Sequence, residues 1–373
     1  MNHQKSTKTD VAFMKESLRQ ARKGLGRTSP NPAVGAVIVR DGNVIATGYH
    51  HKAGLPHAEM EALNKLGGMA RDGTLYVTLE PCSHFGRTPP CTEAILKSGL
   101  KRVVVGMNDP NPDVSGGGCK LLKKNGVLVT SGVLEKECRR LNESFLKFVT
   151  SRYPFVIVKS ALTIDGWTAT AAGNSKWITN EESRQFVHRL RDRVDAVMVG
   201  IGTVLADDPC LTTRLKRGRS KDPLRVAVDT HLRTPLNAKI VNHDSSARTL
   251  IAVGPDVTPE DQEMFNRKDV SILKCPVRDE KIELNALMKL LADMSVTSLL
   301  VEGGASIIGS MLRERLIDKF YVFKANKIFG GSNGIPMATG PGPEKMSECL
   351  NLRDIQIRRF EEDILIEGYP DYK

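Results

Sequence analysis

Two periods of apolar residues alternate along the first 150 positions of the chain. The helical period predicts helices in residues 13–26, 57–68, 91–100 and the first part of 119–133. Short β-rich runs predict a hairpin in residues 33–50, around the Asp-Gly turn of "RDGN", and strands in 73–82, 101–110 and the last part of 119–133. Strands that alternate with helices indicate an open sheet with helices on both faces.

The pattern starts again with a buried strand after Pro154, which places a domain boundary near residue 150. Further strands are predicted in residues 155–162, 196–204, 224–230, 248–254, 270–275, 298–304 and 319–329. Helices are predicted in residues 180–194, 284–294 and 305–316. We therefore expect two α/β domains, residues 11–150 and 151–373.

Length and composition agree with this division. A chain of 373 residues is long for one core, and 40% hydrophobic with 5% aromatic residues is typical of soluble α/β proteins. No apolar run approaches the ~18 residues of a membrane helix, and the first ten residues lack the apolar core of a signal peptide. Seven scattered cysteines, an odd number, argue against a disulfide framework. We expect a cytoplasmic protein.

The net charge of +11 favours an anionic ligand, either a phosphorylated metabolite or a nucleic acid. The densest basic stretch, residues 213–225, is most simply a solvated loop, with nucleic-acid binding as the alternative. Charge alone does not choose between the two ligand classes.

The clearest chemical pattern is "HAE" at 57–59 followed by "EPCSHFGRTPPC" at 80–91. His57, Cys82 and Cys91 are one ligand short of a closed tetrahedral zinc site, so a fourth position is left for water. Zinc can lower the pKa of that water to about 7, and Glu59 is placed to shuttle its protons. The alternatives are a closed zinc site completed by His50, His51 or His84, and cysteines that are only core thiols.

H-x-E followed by P-C…C is the signature of zinc-dependent nucleobase deaminases. Here the usual P-C-x-x-C is lengthened to "PCSHFGRTPPC". Together with "TSPNPAVGAVIV", "GYHHKAGLPHAE" and "MNDPNPDVSGGG", the first half resembles the deaminase domain of the bifunctional riboflavin-biosynthesis deaminase/reductase family. The resemblance implies that His57, Cys82 and Cys91 bind one zinc and that Glu59 is catalytic. It also implies a pyrimidine and phosphate pocket formed by Asn31, His50, His84, Arg87, Asp109 and Asn111. Asn31 and Asn111 each precede a proline, so a turn role is the alternative for both.

In the second half, "LVEGGASIIGSML" predicts a strand, two glycines and a helix start that could meet a phosphate, although it lacks the full dinucleotide motif. With "KSALTIDGWTATAAGNSKWIT" and "VGIGTVLADDPCLTTR" it resembles the reductase domain of the same family. The resemblance implies an NADPH site at Ala161, Trp177, Thr203, Asp207 and Gly304. It implies a substrate site at Lys159, Asp165, Ser175, Arg191, Leu211, Arg214 and Glu302.

Two of the second-half residues have alternative explanations. Arg191 could instead form a surface ion pair with Asp192 or Asp195. Trp167 stands where the family usually has Lys or Arg, and a packing role is the simpler expectation for it.

The family resemblance implies a cytidine-deaminase-like α/β/α layered domain followed by a dihydrofolate-reductase-like α/β domain. It further implies deamination of a small phosphorylated pyrimidine, then NADPH-dependent reduction of its ribosyl group to ribityl. We expect no nucleic-acid or membrane partner, and a homo-oligomer (dimer or tetramer). The alternatives are a nucleic-acid base deaminase, disfavoured by the long cysteine loop and by basic patches without interleaved aromatics, and a zinc-stabilised binding module in which Glu59 is idle.

Overall fold

The computed structural model describes residues 7–84, 89–111, 117–216, 218, 220–242, 245, 247–265 and 269–372. The chain divides into two compact units, Met1–Arg152 and Tyr153–Lys373. Within the described ranges, no helix has both the length and the apolar character required to cross a bilayer.

The first unit combines a mixed sheet with helices. Its helices are α1 (Lys8–Ala21), α2 (Ala58–Asn64), α3 (Cys91–Lys97), α4 (Gly117–Lys124), α5 (Glu135–Leu141) and α6 (Glu143–Ser151), with a 3₁₀ turn at Arg22–Gly24. Its strands are β1 (Gly35–Arg40), β2 (Asn43–Tyr49), β3 (Thr74–Leu79), β4 (Arg102–Met107) and β5 (Leu128–Ser131). The strand order is β2-β1-β3-β4-β5, with β1 antiparallel to both neighbours and β3, β4 and β5 parallel.

The predicted elements of the first unit are confirmed, with two differences. The hairpin turns at Asp41 and Gly42, which both have positive φ (51° and 74°), as Asp-Gly turn chemistry requires. Helix α1 begins five residues before the predicted start, because Thr7 and Asp10 cap its first turn reciprocally. Helices α5 and α6 were not predicted.

The second unit is built on a long sheet. Its strands are β6 (Phe155–Leu162), β7 (Trp167–Ala169), β8 (Ala196–Gly200), β9 (Leu224–Val228), β10 (Thr249–Val253), β11 (Val270–Lys274), β12 (Val277–Arg278), β13 (Lys281–Ile282), β14 (Ser298–Glu302), β15 (Lys319–Lys324), β16 (Ile335–Pro336), β17 (Asn351–Phe360) and β18 (Asp363–Asp371). Its helices are α7 (Glu181–Arg191), α8 (Ile201–Asp207), α9 (Lys239–Asn242), α10 (Pro259–Glu263), α11 (Leu284–Asp293) and α12 (Ala305–Arg313), with a 3₁₀ turn at Met346–Glu348.

The main sheet has the strand order β11-β10-β9-β8-β14-β6-β15-β18-β17. The strands from β11 to β15 are parallel, and β18 and β17 add an antiparallel edge. Successive residues of β8 alternate between two apolar clusters, since Val197 and Val199 lie in one while Ala196 and Met198 lie in the other. The parallel part is therefore buried on both faces, as its continuous apolar runs predict.

Two predictions for the second unit need correction, and its C-terminal hairpin was not predicted. The predicted strand 196–204 ends at Gly200, which becomes the N-cap of α8, so residues 201–204 are helical. The predicted strand 319–329 ends at Lys324. The hairpin β17–β18 was not predicted, although residues 355–367 contain alternating apolar positions.

A buried ion pair joins helix α1 to the sheet of the first unit. Asp10 is fully buried and accepts hydrogen bonds from Arg102 on β4 (2.7 and 3.1 Å) and from the Tyr76 hydroxyl on β3 (3.1 Å). Burial alone would raise the pKa of Asp10, but hydrogen bonds from Arg102 and Thr7 outweigh it and lower the pKa to about 2. The carboxylate therefore stays ionised and fixes α1 against two strands.

Replacing Asp10 by Asn should lower the free energy of unfolding of the first unit by about 3 kcal/mol, because Arg102 would lose its carboxylate partner. Since the folded-state pKa is depressed, the wild-type advantage should be complete above about pH 4 and should shrink as the pH falls toward 2. Hydrogen exchange of α1, β3 and β4 peptides over a urea series measures this difference. Glu16→Gln, on the exposed Glu16–Arg19 pair of the same helix, is the control and should cost less than about 1 kcal/mol. Equal costs for both variants would contradict the assignment.

Candidate active sites

Three metal-binding side chains converge in the first unit from separate elements. His57 is the N-cap of α2, Cys82 follows β3, and Cys91 is the first residue of α3. The His57 Nδ1 atom lies 3.3 Å from Cys91 Sγ and 3.6 Å from Cys82 Sγ. Among the described residues, this is the group of His, Cys, Asp and Glu whose ligand atoms all lie within 4.8 Å of one another.

One imidazole and two sulfurs form a donor set that suits zinc. Hydrogen bonds with Cys91 and His57 lower the pKa of Cys82 to about 4, so a thiolate forms readily there. The candidates for a fourth protein ligand do not join this group: His50 is bonded elsewhere, His51 faces Glu61, and His84 is exposed. In the described part of the chain, the three donors therefore leave the open position that a catalytic site needs.

Glu59 lies beside these donors, two residues beyond His57 in the first turn of α2. Its side chain is buried, and burial raises its pKa to about 7. A carboxyl group that exchanges its proton near neutral pH is suited to general acid–base work.

A hydrogen-bonded pair stands next to the zinc ligands. The Nδ1 atom of His50 lies 3.0 Å from the Pro56 carbonyl oxygen, and its Nε2 atom lies 3.1 Å from the Asn31 side-chain amide nitrogen. Because a carbonyl only accepts, we assign the proton to Nδ1 and let Asn31 donate to Nε2. Burial lowers the pKa of His50, so the neutral ring that this arrangement needs is favoured.

Glu80 is a buried carboxylate that was not predicted as a site residue. Its two oxygens accept from the backbone N–H groups of Asp109 (3.2 Å) and Cys119 (2.8 Å). The Asp109 carboxylate in turn accepts from the N–H of Asn111 (2.9 Å), and burial raises the pKa of Asp109. Glu80 thus ties the cysteine loop to the loop after β4 and to helix α4.

Two further residues, His84 and Arg87, were predicted for this pocket. His84 is exposed and acts electrostatically on Asp109. Arg87 lies outside the described residues. The signal that could have revealed Glu80 is a carboxylate at the end of an otherwise apolar strand, directly before Pro81 and Cys82.

The second unit contains a cleft of about 1230 Å³. It lies at the carboxyl ends of β6, β8, β9 and β14, where open α/β sheets bind ligands. Its walls include every predicted cofactor and substrate residue of this half except Asp165: Lys159, Ala161, Ser175, Trp177, Arg191, Thr203, Asp207, Leu211, Arg214, Glu302 and Gly304.

Asp165 lies apart from the lining of the cleft. Its carboxylate accepts from the backbone N–H groups of Phe329 and Gly330 at 2.8 to 3.1 Å. These bonds hold the segment after β15. Trp167 packs there as well, with its ring 5.8 Å from that of Phe329 and against Gly334, where an added Cβ would lie 2.7 Å from the indole.

An ion-paired cluster lies at one end of the cleft. Arg191 donates from Nε and Nη2 to the two Glu302 oxygens (2.5 and 3.0 Å) and from Nη1 to the Thr212 carbonyl (2.8 Å). Strand register places Lys159 on β6 opposite Glu302 on β14. Arg191 is therefore paired with Glu302 and 13% exposed, which differs from a surface pair with Asp192 or Asp195.

Burial opposes the charge of each group in this cluster. Burial lowers the pKa of Lys159, while the nearby Glu302 offsets part of that effect. Burial alone would raise the pKa of Glu302, but Arg191 and Lys159 outweigh it and lower that pKa. The carboxylate thus stays ionised between two cations.

Two adjacent glycines expose the backbone to the cleft, because they have no side chains to cover it. Gly303 and Gly304 both have positive φ (97° and 85°), so the chain bends sharply between β14 and α12. A Cβ added at either glycine would lie within 3.8 Å of the Thr203 hydroxyl. The bend therefore brings the N-terminal turn of α12 beside α8, where free N–H groups can meet a phosphate.

Several cationic or aromatic contacts of the cleft were missed. Arg184 lies 4.5 Å over the Trp177 ring, and Arg233 and Lys239 line the cleft after β9. His188 is outside the cleft lining but was missed as well: it lies three residues before Arg191 on α7, and this spacing, which puts both residues on one helix face, could have indicated that they act together.

Known families match both halves of the chain. Residues 7–107 match the family model of the cytidine and deoxycytidylate deaminase zinc-binding region, and residues 154–366 match the RibD C-terminal domain. The riboflavin biosynthesis protein RibD of Aquifex aeolicus (strain VF5) is 43% identical over 357 residues, which cover 96% of this chain and 97% of that relative.

The chain belongs to the RibD family. A solved structure of Acinetobacter baumannii RibD (form 1) matches with a TM-score of 0.86 and 36% identity, over 98% of this chain and 99% of that one. The diaminohydroxyphosphoribosylaminopyrimidine deaminase/5-amino-6-(5-phosphoribosylamino)uracil reductase of Thermotoga maritima matches with a TM-score of 0.84 and 37% identity, over 97% and 99% of the two chains.

As a RibD protein, the chain is a bifunctional deaminase/reductase of riboflavin biosynthesis. The predicted fold class, a cytidine-deaminase-like domain followed by a dihydrofolate-reductase-like reductase domain, is confirmed. His57, Cys82 and Cys91 form the zinc site of the deaminase half.

Replacing Glu80 by Gln should raise the KM for the pyrimidine about tenfold, because an amide NH₂ would face one of the two backbone N–H groups now bonded to a carboxylate. Zinc content should stay near one per chain, since Glu80 is not a ligand. Steady-state ammonia release and metal analysis measure the two quantities. Glu93→Gln, at a partly exposed position of α3, is the matched control and should change neither. Loss of zinc from the Glu80 variant would show instead that this residue supports the metal site itself.

Proposed function

We propose that the first unit deaminates 2,5-diamino-6-ribosylamino-4(3H)-pyrimidinone 5′-phosphate and that the second unit then reduces the ribosyl group with NADPH. The product would be 5-amino-6-ribitylamino-uracil 5′-phosphate. The observation that carries this proposal is that one chain contains both a three-donor zinc site beside the buried Glu59 and a cationic cleft with a glycine bend. The two activities in the name of the Thermotoga maritima relative support the choice of substrates.

In the deaminase half, zinc would be held by His57, Cys82 and Cys91. When bound, zinc supplies a Lewis acid that lowers the pKa of water at the open position. Glu59 would accept a proton from the attacking water and deliver it to the departing amine, since it is a buried carboxyl group beside the metal ligands.

The deaminase pocket would recognise the pyrimidine through fixed polar groups. Because Asn31 donates its amide N–H to His50, its carbonyl oxygen is the side left to accept from a ring amine. Asp109 would accept hydrogen bonds from the pyrimidine, and Asn111 would donate to it. The backbone of Asp109 is held by Glu80, and the Asp109 carboxylate in turn holds the backbone of Asn111. We assign phosphate contacts to His84 and Arg87 from the family resemblance.

In the reductase half, Ala161, Trp177, Thr203, Asp207 and Gly304 would hold NADPH. Their shared position along the cleft and the helix start after Gly304 support this assignment. When bound, NADPH supplies the hydride. Opening of the ribosylamine to an imine would give that hydride a carbon to attack.

At the substrate end of the cleft, Lys159 would donate a proton and Glu302 would bind the sugar. Lys159 would carry a proton next to the reacting carbon, and Glu302 would accept from the sugar hydroxyls. Arg191 would keep Glu302 oriented through its two hydrogen bonds. Ser175 and Leu211 would line the site, as the family resemblance implies, whereas Asp165 would act only indirectly, by holding the segment after β15.

Arg214 would bind the phosphate. It is exposed toward the cleft, and among the described residues nothing pairs with its guanidinium. A guanidinium can grip phosphate in bidentate fashion.

We further propose a cytoplasmic location, where the seven free thiols would stay reduced. A homo-oligomer is supported by exposed Ile355 and Ile357 on the edge strand β17, which are 54% and 69% exposed. The proposed partner of both sites is a small phosphorylated pyrimidine, not a nucleic acid or a membrane.

The purified chain should release ammonia from the diaminopyrimidine phosphate without NADPH, and should oxidise NADPH once the deaminated product is present. Glu59→Gln should reduce ammonia release by about 10³-fold, because the proton shuttle is lost, while zinc content stays unchanged. Reduction of added deaminated product serves as the internal control and should stay at the wild-type rate. A variant that loses zinc together with activity would argue that Glu59 is a ligand or structural residue.

Removing both Arg191 and Arg214 by substitution with Ala should reduce NADPH oxidation on deaminated product by at least about 100-fold, because Glu302 loses its partner and the phosphate loses its guanidinium. Ammonia release should not change. Arg189→Ala, on the same helix but exposed and outside the cleft, is the matched control. If both activities fell together, the division of labour between the two halves would be refuted.

A further inference from the structure

The segment that carries Arg214 is held by side chains rather than by backbone pairing. Leu211, Thr212 and Thr213 are buried, and Leu211 has a positive φ of 53°. Among the described residues, no backbone-to-backbone hydrogen bond involves residues 212–214. Something else must therefore fix the point at which Arg214 enters the cleft.

Three side chains bond three successive peptide groups of this segment. Arg191 Nη1 donates to the Thr212 carbonyl (2.8 Å), Asp222 Oδ1 accepts from the Thr213 N–H (2.6 Å), and His188 Nδ1 accepts from the Arg214 N–H (3.2 Å). His188 and Arg191 lie three residues apart on α7 and therefore on the same helix face, and together they bind both ends of the segment, Thr212 and Arg214.

The bond to Arg214 requires His188 to be an unprotonated acceptor at Nδ1, since an imidazolium has only donors. Burial lowers the pKa of His188 to about 4, and the neighbouring Arg191 and Arg214 add to this effect, while Glu302 and a hydrogen bond to the Thr212 backbone oppose it in part. The ring is therefore neutral under the conditions in which the enzyme works, and its acceptor is available.

Among the described residues around this point, the Arg191 guanidinium is paired and the Arg214 guanidinium is not. The Arg191 guanidinium is neutralised by Glu302 through two hydrogen bonds. The Arg214 side chain is exposed at the cleft, and no described residue pairs with its guanidinium. The direction in which the Arg214 side chain extends depends on the position of its backbone. The Arg214 backbone N–H is fixed by its hydrogen bond to His188.

We propose that His188 is a positioning residue of the reductase, whose Nδ1 atom fixes the backbone of Arg214 so that the Arg214 guanidinium meets the substrate phosphate. This inference rests on the proposed function of the second unit, and in particular on Arg214 as the phosphate ligand. It assigns His188 no contact with substrate or cofactor.

The test is steady-state reduction of deaminated pyrimidine 5′-phosphate by the full chain. His188→Leu removes the acceptor and should raise the KM for the pyrimidine phosphate about tenfold, the effect of one lost hydrogen bond. The kcat and the KM for NADPH should stay within about twofold. On the same substrate without its phosphate, the variant and the wild type should be equal.

Two polar variants separate the hydrogen bond from packing. His188→Asn places an amide oxygen near the position of Nδ1 and should restore the KM to within about threefold of wild type. His188→Gln places its oxygen further out and should behave like the Leu variant. Gln185→Ala on the same helix is the control and should have wild-type kinetics. Equal KM values for the Asn, Gln and Leu variants would overturn the proposal, even if the Leu variant were unstable.

A double-mutant cycle decides whether His188 acts through Arg214. Arg214→Ala should raise the KM for the pyrimidine phosphate, and adding His188→Leu to it should have no further effect. If the effects of the two substitutions on the KM multiplied in the double variant, the inference would be overturned. If Arg214→Ala left the KM unchanged, the proposed phosphate role of Arg214 would fail. If Arg214→Ala raised the KM while His188→Leu did not, the positioning role alone would fail.

Discussion

Asp10, Glu59, Glu80 and Glu302 all carry carboxyl groups into the interior of their units, where an unpaired charge costs several kcal/mol. Three of them meet this cost with donors from distant parts of the chain. Asp10 pairs with Arg102, Glu80 accepts two backbone N–H groups, and Glu302 faces Arg191 and Lys159. Glu59 lies beside the metal ligands instead, and burial raises its pKa to about 7. The paired carboxylates hold the fold and the pockets in place, whereas Glu59 can exchange a proton.

The two halves use this constraint for different chemistry. In the deaminase half, the donors His57, Cys82 and Cys91 come from the starts of two helices and a loop after β3, so they meet at the carboxyl end of a central strand. In the reductase half, the long sheet places Lys159 and Glu302 at the carboxyl ends of adjacent strands, with the glycine bend directly after them. Each site thus lies at the carboxyl ends of the parallel strands of its own sheet, where backbone and side-chain groups are free to bind a ligand.

Local sequence patterns predicted most elements, and the differences have physical explanations. The apolar run at 196–204 contains both a buried strand and the first turn of a helix, and its periodicity does not mark the change at Gly200. The hairpin β17–β18 was missed because β17 is largely exposed, so its apolar alternation is weak. In contrast, the Asp-Gly turn at Asp41 and Gly42 was predictable, because only a few residue types tolerate positive φ at both central positions.

The sequence by itself determined the zinc ligands of the deaminase site, because the types and spacing of "HAE" and "PC…C" limit what the side chains can bind. Through family resemblance it also identified eleven residues that line the reductase cleft, which are all of those it assigned to the reductase site except Asp165. Only the tertiary structure decided what each charged group is paired with. Arg191 meets Glu302 across 111 positions, and Glu80 meets Cys119 across 39. Such pairings depend on strand register and on how helices pack on the sheet, and neither is encoded in the local periodicity of the chain.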